Sequence, residues 1–145
     1  MTTSFLCSRR LVSALALLTV GILCMSAEGA NVKLAIRYIP IGAETLTGVT
    51  PEGIETDGDR TEISGRREVT EFLELLATAS PTAQSSFSRK RVRIKITQIH
   101  LGKPSSETFV DNEGVVREQG RDRQLSQDAL MRIRELIESS FRKGS

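Results

Sequence analysis

Hydrophobic and polar positions alternate strictly over residues 32–38, Val-Lys-Leu-Ala-Ile-Arg-Tyr. Val32, Leu34, Ile36 and Tyr38 fall on one side, with Lys33, Ala35 and Arg37 on the other. A period of two with one apolar face predicts a half-buried strand, which Pro40 ends. Residues 91–97, Arg-Val-Arg-Ile-Lys-Ile-Thr, repeat the arrangement more sharply, setting Val92, Ile94 and Ile96 against Arg91, Arg93 and Lys95. The phase slips at Ile99, which predicts a bulge or the strand's end. Phe109-Val110 and Val115-Val116 flank Asp111-Asn112-Glu113-Gly114, a turn-forming tetrad, so residues 107–118 are expected to form a hairpin.

Two stretches carry helical spacing instead. Val69, Phe72, Leu73 and Leu76 lie at i, i+3, i+4 and i+7, with Glu68, Glu71 and Glu74 largely opposite. Ser64 is the expected N-cap, and Pro81 bars continuation much beyond Ala79. Leu130, Ile133, Ile137 and Phe141 form the second apolar stripe. Ser126 is its expected N-cap, Leu125 and Leu130 occupy staple positions around it, and Arg142 and Lys143 complement the C-terminal dipole.

Between these elements lie two connections. Residues 40–62 are rich in Gly, Thr, Pro and acids. Thr50-Pro51-Glu52 marks a helix start that Gly53 limits to about one turn, and a short strand is expected near Arg60–Ile63. Ile41, Leu46, Val49 and Ile54 are spaced to pin the segment to the body. Residues 77–88 are uncharged and mostly small, the most linker-like part of the chain. Together the pattern predicts an α+β fold: a mostly antiparallel sheet of four to five strands, with two amphipathic helices packed on one face.

The first 30 residues read differently. Arg9 and Arg10 precede the uncharged 15-residue run Leu11–Met25, and small residues follow. This is the layout of a cleavable export signal, too short for a spanning helix of about 20 residues. Ala27 and Gly29 suit cleavage after Gly29, giving a signal over 1–29 and one small domain over 30–145. Leu23 stands where a lipoprotein signal wants a small residue before Cys24, and Val12-Ser13 depart from a twin-arginine motif. Both cysteines, Cys7 and Cys24, leave with the signal, so the mature domain is held by packing, without disulfides. Removing Arg9, Arg10 and Glu28 from 20 basic and 18 acidic residues leaves 18 and 17, a balance that points to no partner class.

Catalytic groups are sparse. His100 is the only histidine, no G-x-S-x-G elbow occurs, and one His without Cys fits no common zinc set. Glu55-Thr56-Asp57-Gly58-Asp59 invites a calcium reading, but its Gly falls at position 4 where an EF-hand loop needs position 6. No phosphate loop or dinucleotide fingerprint appears, so no cofactor and no metal are expected.

Charge layout is more informative. Residues 44–74 hold nine acids against Arg60, Arg66 and Arg67, whereas residues 75–106 hold six cations and no acid. If the two long strands share a sheet, Lys33, Arg37, Arg91, Arg93 and Lys95 line an exposed basic face that could take an anionic protein or envelope component. The plainer alternative is a solvated face partly paired with cross-strand acids such as Glu107 or Glu118. Nucleic acid is disfavoured by export and by the absence of interleaved aromatics; the membrane matters only for export. The sequence therefore supports an exported, periplasmic or secreted binding or inhibitor module of the immunity type. A cell-envelope enzyme or accessory working through the acidic 44–62 loop is the alternative.

Expression of the full gene product should yield an exported protein whose intact mass corresponds to Ala30–Ser145. It should show no titratable thiol. A species carrying a diacylglyceryl mass on Cys24, or the uncleaved mass, would overturn this reading.

Overall fold

Alternating stretches become strands only where a neighbour completes their hydrogen bonds. The computed structural model describes residues 32–43, 48–81 and 86–143; the expected signal, Cys7, Cys24 and Leu46 lie outside them. The described strands are β1 (Val32–Tyr38), β2 (Asp59–Ile63), β3 (Ser80–Pro81), β4 (Val92–His100), β5 (Lys103–Asp111), β6 (Val115–Glu118) and β7 (Arg121–Gln124). The helices are α1 (Ile54–Asp57), α2 (Arg66–Ala77) and α3 (Gln127–Lys143). The strands form one sheet in the order β2-β1-β4-β5-β6-β7-β3, with every named strand pair antiparallel. The α+β class and the antiparallel sheet stand; among the described residues the strands number seven rather than four to five. The third helix, α1, is the single turn expected after Pro51.

The principal core takes its sheet side from Leu34, Ile36, Tyr38, Ile94, Ile96, Val110 and Val116. Val69, Phe72 and Leu76 of α2 and Leu130, Ile133 and Ile137 of α3 supply the rest. Phe72, Ile133 and Ile137 are fully buried. Each such side chain contributes about 1.5–3 kcal/mol of transfer free energy, so this layer dominates the fold. Ser126 caps α3 as expected, its Oγ accepting from the Ala129 N–H at 3.2 Å. For α2 the cap is Gly65, extended and without a side-chain hydrogen bond, so Ser64 lies one residue too early for the assigned role.

A second, smaller core lies on the opposite face. Ile39, Val49, Ile54, Phe87, Val92 and Val115 cluster there, with Phe109 packed against them. Val92 is the departure from the expected phase, since it leaves the face of Ile94 and Ile96. A register shift between Val92 and Ile94 accounts for this, because a bulge places consecutive side chains on one side. The slip expected at Ile99 is also present, between Gln98 and Ile99.

Three elements carry too little apolar signal to be read in advance. The N-terminal half of β5, Lys103–Glu107, is polar on both sides and pairs with the outer half of β4. β7 has no apolar residue and is held by its register with β6. β3, inside the linker-like segment, pairs Ser80 with Gln124 and Pro81 with Arg123 at the sheet's edge, where a proline's missing N–H is tolerated. Two of the turns are two-residue hairpins, Leu101-Gly102 and Gln119-Gly120, with φ of 51° and 77° and of 49° and 77°. Positive φ at both positions is the type I′ backbone that matches strand twist.

Asp111 holds the β5–β6 turn to the segment that leads into β4. It is 1% exposed, and its carboxylate accepts from Glu113 N–H at 3.0 Å, Val115 N–H at 2.9 Å and Ser88 N–H at 3.0 Å. Asp111→Ala leaves three backbone donors without their acceptor. Urea unfolding should show a loss of about 2–5 kcal/mol, with Asp111→Asn retaining part of it. A loss under about 1 kcal/mol for the alanine variant would remove Asp111 from this role.

Candidate functional site

The second sheet face carries one row of directly opposed residues across six strands: Arg60, Arg37, Lys95, Phe109, Arg117 and Asp122. Strand alternation puts all six on the side away from α2 and α3. The segment leading through α1 folds over this row, anchored by fully buried Ile54. It places Glu55 between the two central cations.

Lys95 is the centre. Its side chain is 11% exposed, and its ammonium donates to Glu55 and, at 2.8 Å, pairs with Glu107. It also stands 5.7 Å from the centroid of the Phe109 ring. Burial pushes the ammonium's pKa down, but hydrogen bonds and attraction from Glu107 and Glu55 outweigh it and hold the pKa above its ordinary value. Glu55 in turn sits below the usual carboxylate range, chiefly through the Lys95 hydrogen bond. Arg37 shares Glu55 at 3.3 Å and keeps 30% of its side chain exposed.

Of the five expected basic residues, the structure brings Arg37 and Lys95 together and separates the others. Lys33 lies at the far end of β1, opposite Ile99, and pairs with Glu62 at 3.0 Å. Arg91 lies eight residues from Ile99, about 25 Å away along β4, and pairs with Glu113 at 3.2 Å. Arg93 is 8% exposed rather than open to solvent. It donates to the carbonyls of Val92 and Ala43, each at 3.3 Å, and its Nε is unpartnered among the described residues. The face is thus a mosaic of ion pairs rather than a uniform basic surface, and Glu107, one of the two acids named as cross-strand partners for the face, pairs with Lys95. Glu118 pairs instead with Arg123 at 2.9 Å.

The aromatic end of the row opens into a cleft of about 280 Å³. Phe87, Phe109 and Pro51 provide its apolar lining, with Arg89, Glu52, Glu107 and Arg117 among its polar residues. Arg117 donates to both oxygens of Asp122, at 2.7 and 2.9 Å, with its guanidinium 4.7 Å from the Phe87 ring centroid. Asp122 also accepts from the Phe87 N–H at 3.0 Å, fixing the ring beneath the guanidinium. At the near end Arg89 pairs with Glu52 at 3.0 Å while both stay largely exposed, and Lys90 follows it in sequence without an ion pair among the described residues. Sequence reading missed Arg117, Asp122 and Phe87. The one local signal is adjacency: on a strand Arg117 takes the face opposite that of its neighbour Val116.

His100 sits half-buried at the end of β4, in register with Val32 and Lys103. Comparison with protein-family models, curated proteins and solved structures returns no match, so function is inferred from this chain's own residues.

Arg117 holds the Asp122 carboxyl below the usual range, with the Phe87 N–H adding to the effect. A depressed folded-state pKa stabilises the fold above the unfolded value of about 4 and ceases to do so as pH falls through the folded one. Arg117→Met keeps an unbranched chain over Phe87 but loses the fork. It should lower stability at pH 7 by about 1–2 kcal/mol, with the difference shrinking at a pH below the unfolded value of about 4. Denaturant curves at both pH values test this, and a difference independent of pH would contradict it.

Proposed function

We propose that this protein is exported and acts in the periplasm or outside the cell as a small non-enzymatic binding or inhibitory module, of the immunity type that occupies a partner protein. The observation that carries the reading is the aromatic-floored cleft with exposed Arg89 in its lining, the first residue of the basic run Arg89-Lys90-Arg91. Interfaces draw most of their energy from an apolar anchor in a pocket, ringed by polar contacts. The cleft supplies the pocket: Phe87 is fixed by Asp122 and Arg117, and Phe109 lies beside Lys95. Its shape therefore exists before a partner arrives, which lowers the ordering cost of binding.

The cations at its end favour an anionic partner. Arg89 and Arg91 have side chains 65% and 59% exposed and form pairs with Glu52 and Glu113 that are themselves exposed. Such pairs contribute about 0–1 kcal/mol, so a partner's carboxylates can replace the internal ones at small cost. Lys90 adds a cation with no internal competitor among the described residues. Glu52, Glu55 and Glu62, acids of the 44–62 segment, serve as counter-ions to Arg89, Lys95 and Lys33. Their engagement favours the binding reading over hydrolysis through that loop.

Affinity purification of the tagged full gene product from an extracytoplasmic extract, followed by mass spectrometry, should recover a stoichiometric acidic protein. Charge reversal by Arg89→Glu with Arg91→Glu should weaken capture by roughly tenfold or more, with circular dichroism unchanged. Undiminished capture by the folded double variant would refute the assignment.

A further inference from the structure

Strand β2 ends the described sheet. Its inner side pairs with β1, and no described strand pairs with its outer side. An unpaired strand edge is a row of backbone donors and acceptors ready for another strand. Its five residues, Asp59-Arg60-Thr61-Glu62-Ile63, have a charge order that suits one particular strand.

We infer that β2 pairs antiparallel with β2 of a second copy of this chain, about a two-fold axis at Thr61, to make an edge-to-edge dimer. Residues directly opposite in an antiparallel pair must lie on the same face, so only registers joining residues of like parity keep both copies' cores on one side. Centring on Arg60 sets two arginines face to face, and centring on Glu62 does the same with two glutamates. Centring on Thr61 places Arg60 opposite the second copy's Glu62, and Glu62 opposite its Arg60. Thr61 then faces its own counterpart on the helix side, where its hydroxyl is already hydrogen-bonded to Ser140 of α3 at 2.9 Å, so the register rests on the two Arg60–Glu62 pairs. The strand is self-complementary in that register alone of the three.

Arg60 gives an independent reason. It stands directly across from Arg37 in the β1–β2 register, an unfavourable opposition of like charges. Arg37 is neutralised by Glu55, whereas Arg60 is exposed and has no acidic partner among the described residues. A carboxylate arriving on its outer side relieves that opposition. Glu62 already accepts from Lys33 at 3.0 Å, and its carboxylate has lone pairs left for a second donor.

The test uses the full gene product, purified as it accumulates, in sedimentation velocity across a dilution series from micromolar to millimolar. The expected result is a concentration-dependent monomer–dimer equilibrium that salt weakens. Arg60→Glu and Glu62→Arg should each raise the dissociation constant by roughly tenfold or more, with melting temperature and circular dichroism confirming the fold. The double variant R60E/E62R restores the complementarity with the signs exchanged and should recover the dimer. A monomer at every concentration would show that the edge charges serve only to repel strands. A dimer indifferent to both single variants would place the interface elsewhere, and failure of the folded double variant to recover would reject the Thr61-centred register.

Discussion

An ammonium group near the middle of a sheet must either reach water or be met by a carboxylate, and Lys95 is met by two. It projects from β4, the strand between β1 and β5, with little of its side chain exposed. Glu107 is available from the adjacent strand, but Glu55 belongs to a connection far away in sequence. Burial of Lys95 therefore requires that connection to lie across the sheet. Ile54, one residue before Glu55, provides the apolar half of the same contact. The pair explains why a Gly- and acid-rich segment is folded down over the sheet instead of looping into solvent, and why this domain has two cores without being two domains.

The two sides of the sheet are stabilised by different physics. On the helix side, interdigitated aliphatic side chains exclude water and need no directional bonds. On the other side, short apolar contacts alternate with charge pairs, and geometry is set by forks: Arg117 on Asp122, Glu55 between Arg37 and Lys95, Asp111 accepting three backbone N–H groups. The bulge near Val92 lets one strand serve both sides, giving Ile94 and Ile96 to the first and Val92 to the second. Such a polar framework contributes less per contact than the aliphatic core, yet it fixes where the cleft's rings stand.

The separation of acids and bases along the sequence acquires its meaning only through folding. Acids from the first half of the chain meet cations of the second: Glu52 with Arg89, Glu55 with Lys95, Glu68 with Lys143 and Glu71 with Arg132. Pairing leaves the net charge unchanged, and among the described residues Arg60, Lys90, Lys103 and Arg121 stand outside the ion pairs formed.

The sequence by itself determined β1, the inner part of β4, the β5–β6 turn and both long helices, because each has an apolar period matching its backbone period and a boundary residue such as Pro40, Pro81 or Ser126. It also determined the antiparallel α+β class and the helix-facing core. Tertiary structure alone decided β7, β3 and the outer half of β5, whose residues bear no hydrophobic signal and become strands because a neighbour supplies hydrogen bonds. It likewise decided the candidate site. Lys33, Arg37, Arg91, Arg93 and Lys95 share a parity in sequence, but parity fixes only the side a residue takes. Which acid reaches it, how deeply the α1 segment buries it and how a bulge shifts its phase depend on contacts between distant parts of the chain. Local periodicity carries no record of those contacts.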